Sequence, residues 1–177
     1  MNQEFFEAFR NLLKDPDEVV LSMSKLAGWL IVVPIQTVSK VPGLSDTSVM
    51  QEAVHVARML GTSVTANSWV LRRVLKDGWL GKESKVSDSD FQSHLRIVAD
   101  EPFQFTLSKY QCWCVISACQ LAHRHPDYKD SNSAKLNREI LEQLESVLPE
   151  GILSEVIKRG WDDAFDQVIE KYELNLE

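Results

Sequence analysis

Several things are scarce in this 177-residue chain, and each absence narrows the field. Cysteine occurs three times, an odd count, all between Cys112 and Cys119. That clustering suits reduced, buried thiols better than a disulfide framework. The opening Met-Asn-Gln-Glu-Phe-Phe-Glu puts an acid where a signal peptide needs a basic region followed by an apolar run. The most apolar stretch, Leu26 to Pro34, is far short of the ~20 residues that span a bilayer. No Asn-x-Ser/Thr glycosylation site occurs. These absences lead to an expectation of a cytoplasmic protein without a membrane partner. Period-two strand alternation is nearly absent, no repeat period stands out, and no segment is low-complexity.

What is present is ordinary for a globular chain, with 44% hydrophobic and 25% charged residues. The net charge of −7 argues against a surface that coats nucleic acid or anionic membrane as a whole. The average hides a polarity. Arg58 to Lys85 holds six bases against two acids, whereas Glu150 to Glu177 holds eight acids against three bases.

Helical spacing recurs along the chain. Phe5, Phe6, Phe9, Leu12 and Leu13 form a first stripe. Asp15-Pro16 reads as a cap with proline at the first helical position, opening a helix through Val19, Met23, Leu26, Leu30 and Val33 that Pro34 stops. Further helices are expected from Ser45 to Gly61, from about Ser63 to Lys76, from Asp88 or Ser89 to Ala99, from Leu107 to Arg124, and through Leu136–Leu148. A last helical segment carries Val156, Ile157, Trp161 and Phe165. The expected fold class is all-α, a single irregular multi-helix bundle of about seven to nine helices. Residues 1–177 are read as one domain, with 1–45 a candidate N-terminal helical arm.

Enzyme signatures fail on spacing. Cys112 and Cys119 are seven residues apart, about 10.5 Å along a helix, too far for two thiolates on one zinc. Only Cys119 and His123, four apart, are weak candidates for sharing an ion, and the Cys114 face makes this helix apolar nearly all round, as in a core. Glu52-Ala-Val-His55 has the spacing of a carboxylate-bridged di-iron site, but the second such motif is missing. Gly78 to Ser84 lacks the glycine spacing of a phosphate loop. Asp162, Asp163 and Asp166 read as complements to a helix dipole. No catalytic residue, metal or cofactor is assigned, and the balance leans away from an enzyme. A site assembled only in space is the remaining catalytic alternative.

One stretch carries a sharper pattern. Residues 53–80 place Ala57 and Gly61 before a second helix containing Val70, and end Asp77-Gly78-Trp79-Leu80. This resembles a helix-turn-helix leading into the wing of a winged-helix repressor, although no alternating pattern follows Leu80. The resemblance implies Ser63 as cap of a recognition helix, and DNA contacts from Thr65, Ser68, Arg72 and Arg73. On a helical wheel Thr65, Trp69, Arg72, Arg73 and Lys76 share one face, with Trp79 adjacent. Trp and Arg are enriched at protein interface hot spots, so the same face suits a protein partner. The leading expectation is a non-enzymatic helical protein acting through macromolecular, mainly protein–protein, contact in a regulatory or adaptor role. A helix-turn-helix DNA-binding regulator is the alternative. Contact between the oppositely charged segments, within one molecule or between copies as a homo-oligomer, is a further expectation.

Overall fold

The computed structural model describes residues 3–77, 86–125 and 128–148, together with 151, 153, 155–160, 162, 163 and 166. The described residues are mostly helical, at 69%, but not purely so. Helix α1 (Gln3–Lys14) leads into strand β1 (Glu18–Ser24), and then into α2 (Lys25–Val38), α3 (Ser48–Val64) and α4 (Trp69–Asp77). Helix α5 (Asp88–Val98) leads into strand β2 (Pro102–Ser108), then α6 (Lys109–Ala122) and α7 (Asn132–Val147). Residues 155–160 are again helical.

The two strands form an antiparallel ribbon, which corrects the all-α expectation. The helix expected from Pro16 is a strand as far as Ser24. Asp15 does not cap a helix; its carboxylate accepts from the Asp17 backbone N–H at 3.0 Å in a local turn. Val19 and Leu21 are buried while Glu18, Val20 and Ser22 are exposed, a period of two. Val19 and Met23 fit either period, and only a strand partner decides between them. Phe103, Phe105 and Leu107 supply that partner's inward face on β2, where a helix break and start were expected. Pro34 lies inside α2 and does not end it.

The strands also expose an internal repeat that the residue types conceal. Element starts recur at a constant offset of 84, from Glu18 to Pro102, from Lys25 to Lys109 and from Ser48 to Asn132. Ser24-Lys25-x-x-x-Trp29 matches Ser108-Lys109-x-x-x-Trp113. Each serine caps its helix, accepting from Ala27 N–H and Gln111 N–H respectively. Leu21 pairs with Phe105 at the centre of the ribbon, and these two residues are themselves related by the offset. An approximate two-fold axis therefore passes through that pair.

Ion pairs obey the same axis. Lys25 bonds Glu101, and Lys109 bonds Asp17 at 3.0 Å and Asp15 at 2.7 Å, so each half's lysine clasps the acid that leads into the other half's strand. Both Asn67 (φ 66°) and Gly151 (φ 95°) are left-handed at equivalent turns after α3 and α7.

Helices α2 and α6 sit beneath the ribbon. Trp29, Ile31, Val33 and Ile35 on α2, with Trp113, Ile116 and Cys119 on α6, are at most 1% exposed. One of the two central helices, α2, thus comes from within the first 45 residues. Gly28 lets β2 approach: a Cβ there would lie 2.7 Å from Val64 Cγ2 and 2.8 Å from Phe103 Cζ.

Candidate interaction surface

Helix α4 is the second member of the helix pair singled out by sequence, but its boundaries move. Helix α3 runs on through Gly61 to Val64, since Leu60, Gly61 and Val64 all face the core. Ser63 caps nothing; its hydroxyl donates back to the Met59 carbonyl. Ser68 caps α4, with its oxygen accepting from Leu71 N–H at 3.2 Å. Val70, Leu71 and Val74 are buried, which fixes how α4 is rotated on its neighbours.

That rotation leaves Trp69 71% exposed. Arg72, Arg73 and Lys76 are exposed on the same helix. Thr65 does not join them. It is 2% exposed at the end of α3, and its hydroxyl donates to the Gly61 carbonyl at 2.7 Å. Ser68 is also 2% exposed. Two of the four residues assigned to DNA contact are thereby withdrawn into the fold, because one ends a helix and the other starts one. Trp79 lies outside the described residues, as do Lys82 and Lys85 of the basic segment.

A neighbour that sequence reasoning missed completes this surface. Trp69 meets the His94 ring edge-on, with centroids 6.3 Å apart, and Ser68 Oγ lies 3.4 Å from His94 Nδ1. One turn along α5, Ile97 is 72% exposed. The available signal was an isoleucine out of phase: Phe91, Leu95 and Val98 face inward, and Ile97 does not belong to their stripe. Two exposed apolar side chains on adjoining helices therefore flank a histidine, with the α4 cations alongside.

The remaining candidates have structural partners. Cys112, Cys114 and Cys119 are free and buried. Burial pushes the Cys112 and Cys119 thiols up to about 12, and that of Cys114 higher still. A thiol so placed is a weak nucleophile and a weak metal ligand. Cys119 Sγ donates to the Ile31 carbonyl at 3.7 Å, while His123 Nε2 lies 2.8 Å from Asn137 Oδ1. Glu52 accepts from Gln111 at 2.8 Å and His55 is exposed. Asp162 and Asp166 are ion-paired with Arg124. Among the described residues, no three or more His, Cys, Asp or Glu side chains gather as a metal set, and no helix is long and apolar enough to cross a membrane.

No family model, curated protein or solved structure matches the chain.

Proposed function

We propose that this protein acts without catalysis of its own, by binding a protein partner through the α4–α5 surface in a regulatory or adaptor role. The observation that carries the reading is the 71% exposure of Trp69. An exposed tryptophan edged by a histidine and flanked by Arg72 and Arg73 has the composition of an interface hot spot. Ile97 widens its apolar area, and Lys76 supplies a further charge at the rim, where charge mainly steers encounter. Thr65 and Ser68 are turned inward, so base-edge readout loses half of the side chains it would use.

Affinity capture from a lysate of the native host tests this reading. A partner should be retained by the wild-type chain, lost with Trp69→Ala/Arg72→Ala, and kept by Phe6→Ala, which truncates an exposed side chain elsewhere. The reading fails if retention ignores the α4 substitutions. It fails equally if the only α4-dependent ligand is DNA bound in a salt-sensitive way.

A further inference from the structure

The approximate two-fold axis predicts paired surfaces, and at one place the pair is broken. The edge of β1 away from β2, from Val20 to Ser24, forms one wall of an open cleft of about 550 Å³ among the described residues. Ala27 at the start of α2 forms its floor, and Ile140, Gln143 and Leu144 of α7 form the facing wall.

The corresponding position on the other half carries larger or hydrogen-bonded side chains. Adding 84 to Ala27 gives Gln111, whose side chain accepts from Ser108 N–H at 3.0 Å and donates to Glu52 on α3 at 2.8 Å. Subtracting 84 from Ile140 and Gln143 gives Val56 and Met59 on α3, apolar side chains that belong to or pack on the core. One half thus has a glutamine joining helix to helix where the other has a methyl group and a cleft.

We infer that this cleft is a docking site for an extended peptide segment of a partner protein, added as a third strand along β1. Among the described residues, β1 pairs only with β2, so alternate N–H and C=O groups on its outer edge have no strand partner. Those groups recognise extended backbone and nothing else so well. At roughly 3.3 Å per residue, the five lining residues of β1 offer about 17 Å, an ordinary strand length. Val20, 61% exposed, and Ile140 call for apolar side chains at alternate positions of the ligand. Glu18 is exposed at one end of β1, and Glu139 is exposed next to Ile140 on α7, which favours a basic residue in the segment. A second copy of the chain fits poorly, since its own β1 is paired with β2 on one edge and faces α7 on the other.

A random seven-residue peptide library displayed on phage, panned against the purified chain, tests this directly. Enriched sequences should alternate apolar residues and carry a basic one. The synthetic consensus peptide should shift backbone amide resonances of residues 20–24 and 140–144. Its affinity should fall at least tenfold with Ala27→Gln, which writes the other half's residue into the cleft, and with Gln143→Lys at an exposed position. Methylating alternate backbone nitrogens of the peptide should cost at least tenfold as well, whereas Trp69→Ala should change nothing. The last arm separates this site from the α4–α5 surface. The inference is overturned if no sequence is enriched, if binding survives both cleft variants, or if the N-methylated peptide binds equally well. Cleft-dependent self-association in sedimentation, with no peptide enrichment, would also overturn it, making a second copy the occupant.

Discussion

The side-chain amide of Asn137 donates to the Leu30 carbonyl across 2.8 Å, and Leu30 is the residue four before Pro34. In an α-helix that carbonyl would accept from the N–H of residue 34, which proline lacks. Asn137, 0% exposed, replaces the missing donor from another helix, and its oxygen meets His123 Nε2. The other half shows the uncompensated design: Pro34 corresponds to Ala118 and Asn137 to Ala53, so no donor is missing and none is supplied.

Removing the donor should therefore be costly, and costly only while the proline is present. Asn137→Ala leaves the Leu30 carbonyl and a His123 nitrogen unpaired in the core. At about 1–3 kcal/mol for each buried group left unsatisfied, the loss should reach roughly 2–4 kcal/mol in chemical denaturation. Pro34→Ala in the same chain should recover at least about 1 kcal/mol, because residue 34 regains its N–H. A double-mutant cycle measures the coupling, and strict additivity would contradict the pairing.

Acid should weaken the fold through His123. Burial holds its pKa below the ordinary 6.5, with the Asn137 hydrogen bond opposing part of that shift. The unfolded chain then binds a proton that the folded chain refuses, so stability is complete above pH 6.5 and falls as pH drops from there through the lowered folded value. Thermal melts between pH 8 and pH 4.5 should show this slope in the wild type and a shallower one in His123→Gln. Parallel slopes would locate the acid sensitivity elsewhere.

Gly28→Ala should destabilise, although alanine is the better helix former. The added methyl meets Val64, fully buried at the end of α3, and the Phe103 ring of β2 at under 3 Å, so α3 or the ribbon must give way. Overpacking of this kind costs about 1–3 kcal/mol, against a propensity gain of up to about 1 kcal/mol. A net fall in melting temperature is expected, and an unchanged or raised one would show that β2 yields freely.

Thiol reagents should find nothing to react with in the folded chain. With Cys112 and Cys119 pushed up to about 12 by burial and Cys114 also buried, labelling by an aromatic disulfide reagent should wait for unfolding. Three thiols should then appear together in denaturant. Rapid labelling of any one in native buffer would mean that α6 opens readily to solvent.

Much of the helical content was legible because helices announce themselves locally. The α7 stripe of Ile140, Leu141 and Leu144, the Cys-rich core helix and the short α5 all follow from spacing within one segment. The strands did not, since β1 and β2 lie 84 residues apart and each is stable only against the other. The repeat was hidden for a related reason. What it preserves is a cap, a lysine, a tryptophan and a spacing, while the core exchanges Gly28 for Cys112 and Pro34 for Ala118. The α4 surface was partly legible: amphipathic spacing marked Trp69, Arg72, Arg73 and Lys76 as sharing a face. Placing Thr65 with them required the helix to begin too early, before the left-handed Asn67 that separates α3 from α4.

By itself, then, the sequence determined that the chain is mainly helical, which faces of α1, α4 and α7 are apolar, and that α6 is a core helix. Local periodicity carries that information because side chains three and four residues apart share a helix face. Only the tertiary structure decided that Val19 to Met23 is a strand, that the two halves exchange lysine–acid pairs about an axis, and that Asn137 supplies the hydrogen bond that Pro34 removes from α2. Each of these depends on groups distant in the chain, whose pairing no local pattern encodes.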